Sequence, residues 1–119
     1  MKRNPYDCVI YWSKQDNCWI AHSLHTDQIG HGAGPLYALA DMLKAVQEVM
    51  ALAGEDETIQ PWRKAPVRVQ KMCKAADPLP KETFEVAYMM AHGQWPEYLK
   101  IEMSRSKKLV VVEMEPTPV

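Results

Sequence analysis

No stretch of this chain approaches the roughly 20 consecutive apolar residues that a membrane-spanning helix needs. The start, Met1 to Pro5, leads into a patterned segment without an apolar signal core. Cysteine is scarce: Cys8, Cys18 and Cys73 are odd in number and widely spaced. That argues against a disulfide framework and for the reduced thiols of a cytoplasmic protein. There is no internal repeat and no low-complexity tract, so neither a solenoid nor a disordered linker is expected. Net charge is only −1, too little for the whole chain to act as a polyelectrolyte.

What remains is an ordinary globular composition: 119 residues, 47% apolar and 24% charged. A single domain of this length buries roughly two-thirds of the surface its unfolded chain exposes, and needs no metal or disulfide to fold. The charge is unevenly spread. Residues 1–62 carry 4 basic and 8 acidic side chains, and residues 63–119 carry 10 basic and 7 acidic. The sharpest concentration is Arg63, Lys64, Arg68, Lys71 and Lys74, with no acid among them. Such a run is either a solvated helix face or a local field that steers an anionic partner.

The first half has a clear order. Tyr6 to Ser13 is rich in β-branched and aromatic residues and predicts a strand. Lys14-Gln15-Asp16-Asn17 supplies a polar turn whose last residue tolerates positive φ. Cys18 to Leu24 resumes the strand pattern and completes a hairpin. After the polar loop His25-Thr26-Asp27-Gln28, residues Ile29 to Ala33 predict a short third strand. Gly30 and Gly32 there imply a bend, a bulge or a close backbone approach. Gly34-Pro35 opens a helix running to Ala53, with Gly54 as its natural stop. Leu36, Leu39, Leu43, Val46 and Met50 form one apolar stripe, widened by Met42, Val49 and Leu52, against a narrow polar stripe of Asp41, Lys44 and Glu48. A helix so apolar needs covering on more than one side, by the C-terminal half or by another subunit.

The second half carries shorter elements. Residues 54–65 read as a polar connector with Trp62 as an anchor. A helix is expected over residues 66–76, with Val69, Met72, Cys73 and Ala76 on one face and basic residues on another. A third helix is expected over 81–92, with Phe84, Ala87, Tyr88 and Ala91 inward and Gly93 as its cap. Strands are expected near 98–104, from the alternation of Leu99, Ile101 and Met103 with polar residues, and near 108–115, from the run KLVVVEME. The fold class is therefore α+β: a β-β-β-α unit over residues 6–53, then an extension over 54–119 whose strands join or flank the same sheet.

The first unit resembles the HicB-like antitoxin domain. The resemblance rests on Tyr6 and Val9-Ile10 in strand one, Asp16-Asn17 in the turn, Trp19-Ile20-Ala21 in strand two, Gly32 ahead of the helix, and Ala38-Leu39 within it. Two departures stand out: His25-Thr26-Asp27-Gln28 replaces the family's Pro-Gly loop, and Ala33-Gly34-Pro35 replaces its usual helix start. Residues 54–119 show no ribbon-helix-helix or helix-turn-helix pattern. The resemblance implies an RNase H-like fold used for binding, with a small HicA-type toxin or a second copy of the chain as partner. The alternative is a nucleic-acid-binding regulator that uses the basic stretch 63–74.

Candidate chemistry is thin. Two-metal nuclease chemistry needs several acids converging on a strand end and the facing helix. Asp7 is on strand one, but Asp41 and Glu48 share the water-facing helix stripe, so neither catalytic residues nor a bound cofactor are expected. His22, His25, His31 and Cys18 invite a zinc reading, yet Cys18 and His22 are four residues apart on one strand, about 13 Å, too far for one ion unless the strand bends. Cys8 and Cys18 read as core residues rather than nucleophiles. Gly30 to Gly34 precedes a helix without a lysine at phosphate-loop spacing, so it reads as a sharp turn. Trp12, Trp19 and Trp62 are too many large rings for one small core and are candidate partner contacts. Arg63, Lys64, Arg68, Lys71 and Lys74 are the candidate nucleic-acid contacts.

Overall fold

Cys8–Ser13 (β1) and Cys18–Ser23 (β2) form the antiparallel hairpin that their β-branched and aromatic content favours, in register from Cys8 opposite Ser23 to Ser13 opposite Cys18. In this computed structural model, which describes residues 4–78, 81–92 and 110–112, the hairpin turn closes through Ser13 and Asp16. The Asp16 N–H donates to Ser13 Oγ at 3.1 Å, and Asn17 adopts φ 51°, the left-handed geometry anticipated for it. Ile29–Gly32 (β3) pairs antiparallel with β2.

The helix Pro35–Glu55 (α1) crosses this sheet with proline at its first turn. Its approach to β3 is close enough to exclude any side chain at Gly30: a Cβ there would lie 2.2 Å from Met42 N and 2.3 Å from the Ala38 carbonyl oxygen. Of the three roles open to these glycines, close backbone approach is the one realised. The helix passes through Gly54 instead of stopping there, and ends where the Asp56 N–H bonds the Leu52 carbonyl at 2.9 Å. No backbone atom crowds Gly54 and the helical hydrogen bonds continue across it, so its stop signal is not used.

Val67–Ala75 (α2) and Lys81–Ala91 (α3) follow, with the two-residue strand Asp77–Pro78 (β4) between them. Val110–Val112 (β5) pairs antiparallel with β1, and β4 pairs parallel with β5. The order across the sheet is β3-β2-β1-β5-β4. The fold is α+β, and β1, β2 and β3 form a three-stranded antiparallel meander with β3 at the sheet edge. Of the expected C-terminal strands, part of the second is β5; the one near 98–104 and the cap at Gly93 lie outside the described residues.

Both faces of the β1–β2 hairpin are covered, so these two strands sit between two hydrophobic clusters. On one face Cys8, Ile10, Trp19 and Ala21 pack under α1, whose Leu39, Met42, Leu43 and Val46 are fully buried. The second covering α1 required comes from within the chain: Ala87 and Met90 of α3 join the same cluster. On the other face Val9, Tyr11, Ile20 and Leu24 pack against Ala65 and Val69. Of the expected inward face of α3, Ala87 is buried, Ala91 packs against the cluster, the Phe84 side chain lies outside the described residues, and Tyr88 is corrected. Tyr88 is 42% exposed and rests against the His92 ring at 4.4 Å, while Met90 occupies the core. Among the described residues no helix is long and apolar enough to cross a membrane.

Candidate functional site

The strand alternation that sends Trp19 and Ala21 toward α1 sends Ile20, His22 and Leu24 to the opposite face. His22 is thereby buried, 1% exposed, and needs a partner. The loop supplies one: His22 Nε2 donates to Asp27 Oδ1 at 2.5 Å, with Asp27 held at φ 54°. His22 Nδ1 is also buried and accepts no hydrogen bond among the described atoms. Within the same loop Ser23 Oγ and Thr26 Oγ1 are hydrogen-bonded, and the Gln28 N–H donates to Ser23 Oγ at 3.0 Å. Beside it His25 Nε2 donates to Asp7 Oδ2 at 3.2 Å. All these groups sit at the end of the sheet where β1 begins and β2 ends. What reads in the sequence as a plain polar loop is a knot of hydrogen bonds with Thr26 2% exposed.

A second feature grows from this end. The connector runs beside the end of β2, where the Arg63 N–H bonds the His25 carbonyl at 2.9 Å and the Ala65 N–H bonds the Leu24 carbonyl at 3.1 Å. Gln70 Nε2 on α2 reaches the Leu24 carbonyl at 3.2 Å. Ala65 and Val69 are buried beneath, with Met72, Cys73 and Ala76 packed at the margin, so the inward face of α2 is the one its period predicts. Arg63, Lys64, Arg68, Lys71 and Lys74 all lie exposed on the outer side. None of the five forms an ion pair with another described residue.

The remaining candidates separate. Asp41 and Glu48 are exposed on α1, and Asp41 Oδ2 accepts the His31 N–H at 2.9 Å, closing one backbone donor on the outer edge of β3. Asp7 is engaged with His25. Among the described residues no group of three His, Cys, Asp or Glu side chains is placed to hold a metal ion. Cys8 is in the core, Cys18 and Cys73 are half-buried, and none of the three is in a disulfide. Trp12 and Trp19 meet edge to face, with centroids 5.9 Å apart. Trp19 is 2% exposed and belongs to the core, whereas Trp12 and Trp62 are half-buried. An open depression of about 320 Å3 lies beside β3, lined in part by His31, Tyr37, Asp41, Lys44 and Met90.

Sequence reasoning missed the two His–Asp pairs. The usable signal was Asp27, an aspartate in a four-residue loop and so tolerant of left-handed backbone, five residues after a histidine in a buried strand. Nothing local marks Asp7 and His25, which are 18 residues apart. Comparison with family models, with curated proteins and with solved structures returns no match.

Proposed function

We propose that this chain is a non-catalytic binding module resembling a HicB-type antitoxin or an orphan relative, which sequesters a small toxin-like protein or associates with a second copy of itself. The observation that carries this reading is the β1-β2-β3-α1 unit, with α1 seated directly on β3 through Gly30 and Gly32. Its element order is the one on which the resemblance rests. Two further features support it. The aspartates Asp7, Asp27 and Asp41 are engaged in fastening the loop end and the β3 edge, which suits a scaffold better than a reaction centre. Ile29, Leu52 and Met89 are exposed at 40% or more, and Trp12 and Trp62 are half-buried, so apolar surface is left for a partner. The acidic balance of the first half favours a small basic partner.

The test is a pull-down with the tagged chain from its source cells, followed by light scattering of the purified material. The reading expects either a complex of fixed stoichiometry or a stable homo-oligomer. A strictly monomeric chain that retains no partner defeats it.

A further inference from the structure

The outer side of the connector and α2 presents five exposed cations without an ion-pair partner among the described residues. From Thr58 to Ala76 there is no acidic residue. Arg63, Lys64, Arg68, Lys71 and Lys74 are exposed and form no ion pair with any described residue. Surface cations ordinarily have acids interspersed among them, because like charges at helical spacing repel one another. Lys71 and Lys74 are three residues apart on the face opposite the buried Val69, and Arg68 flanks them.

The surface is also held in place. Arg63 and Ala65 are tied to His25 and Leu24 through their backbone, and Gln70 reaches the Leu24 carbonyl. Val69 is fully buried, so α2 cannot roll its cations inward. A nine-residue helix adds about 13 Å to the short strap before it, enough to meet more than one phosphate, since each strand of a duplex carries one per about 3.4 Å of helix axis. The two arginines can each hold a phosphate through two N–H donors, and the lysines act as point charges.

We infer that the connector and the outer face of α2, through Arg63, Lys64, Arg68, Lys71 and Lys74, bind the phosphodiester backbone of a nucleic acid. The contacts are to phosphate, so the surface reads charge density and not base sequence. This role is separate from protein binding by the β-β-β-α unit and lies on the opposite face of the sheet from α1. Five cations across residues 63–74 without an intervening acid suit a uniform polyanion better than an acidic protein surface, whose charges are broken by basic groups.

The experiment is fluorescence anisotropy of the full chain with a 20-base-pair DNA duplex and a 20-nucleotide single-stranded RNA, over a salt series from 50 to 200 mM. Binding of at least one probe is expected. With about four phosphates contacted on the duplex, affinity falls roughly a hundredfold across that range, and the relative response of the two probes tells which nucleic acid is the better ligand. The exposed triple variant Arg68→Gln, Lys71→Gln, Lys74→Gln is expected to lose tenfold or more at 50 mM and to show a visibly shallower salt dependence. Lys64→Gln with Lys71→Gln is a second variant, used if the first changes the circular dichroism spectrum. Lys44→Gln, an exposed cation on α1, is expected to leave binding unchanged. Absence of binding to both probes at 50 mM, binding indifferent to the α2 variants, or equal loss with Lys44→Gln would each overturn the inference. So would capture of an acidic polypeptide such as polyglutamate in preference to both nucleic acids.

Discussion

At Gly30 a single hydrogen in place of a methyl group decides whether α1 can lie on the sheet. The atoms a Cβ would strike are backbone atoms of Met42 and Ala38, which cannot swing aside as a side chain would. Gly30→Ala is therefore expected to cost about 3 kcal/mol or more, read from urea unfolding. Gly54 is the contrast, since nothing lies within 4 Å of its added Cβ and it sits in the last turn of α1. Gly54→Ala is expected to stabilise by about 0.5–1 kcal/mol in the same measurement, because alanine is the better helix former and has less freedom to lose. Just past that turn, the Thr58 hydroxyl and then the Thr58 N–H hold the Asp56 carboxyl below its ordinary value. A depressed carboxyl contributes stability that is present above its unfolded pKa and is lost as pH falls through the lower folded value. Thr58→Ala should return the Asp56 titration toward the ordinary carboxylate range when followed by NMR. Asn17, with its positive φ, was legible from residue type alone. His22 was not, since nothing in CWIAHSL states that the histidine faces a buried layer.

The apolar period of α1 identifies which sides of the helix are buried but not how far along its length burial extends. At 21 residues the helix is about 31 Å long, whereas six-residue strands span about 20 Å. The helix overshoots the sheet, and its apolar stripe emerges into solvent: Leu43 is fully buried and Leu52 is 51% exposed. Leu43→Ala is expected to cost about 3 kcal/mol and Leu52→Ala to stay within about 0.5 kcal/mol, compared by thermal or urea unfolding. The same limit explains Tyr88. Helical spacing grouped it with Ala87 and Ala91, but the width of the contact with α1 left room for Met90 and turned Tyr88 outward. For α2 the period was sufficient, because one short helix against one sheet face has a single way to bury Val69.

The whole molecule closes its first half with its second. Residues near the start and the end of the chain meet where β5 pairs with β1, and α3 supplies the cover that α1 lacks on its far side. A chain cut after Pro78 loses both. It is expected to lose its cooperative thermal transition and to self-associate through the bared face of α1, as seen by circular dichroism and light scattering. What residue order by itself determined is the hairpin, the third strand, the three helices and the inward faces of α1 and α2, because periods of two and 3.6 and turn chemistry are local properties of the chain. Only the tertiary structure decided that the connector is tied to the end of β2, that β5 lies beside β1, and that His22 and His25 find Asp27 and Asp7. Most of those outcomes join residues far apart in sequence, and all depend on which surfaces the packed layers cover, for which a local pattern carries no signal.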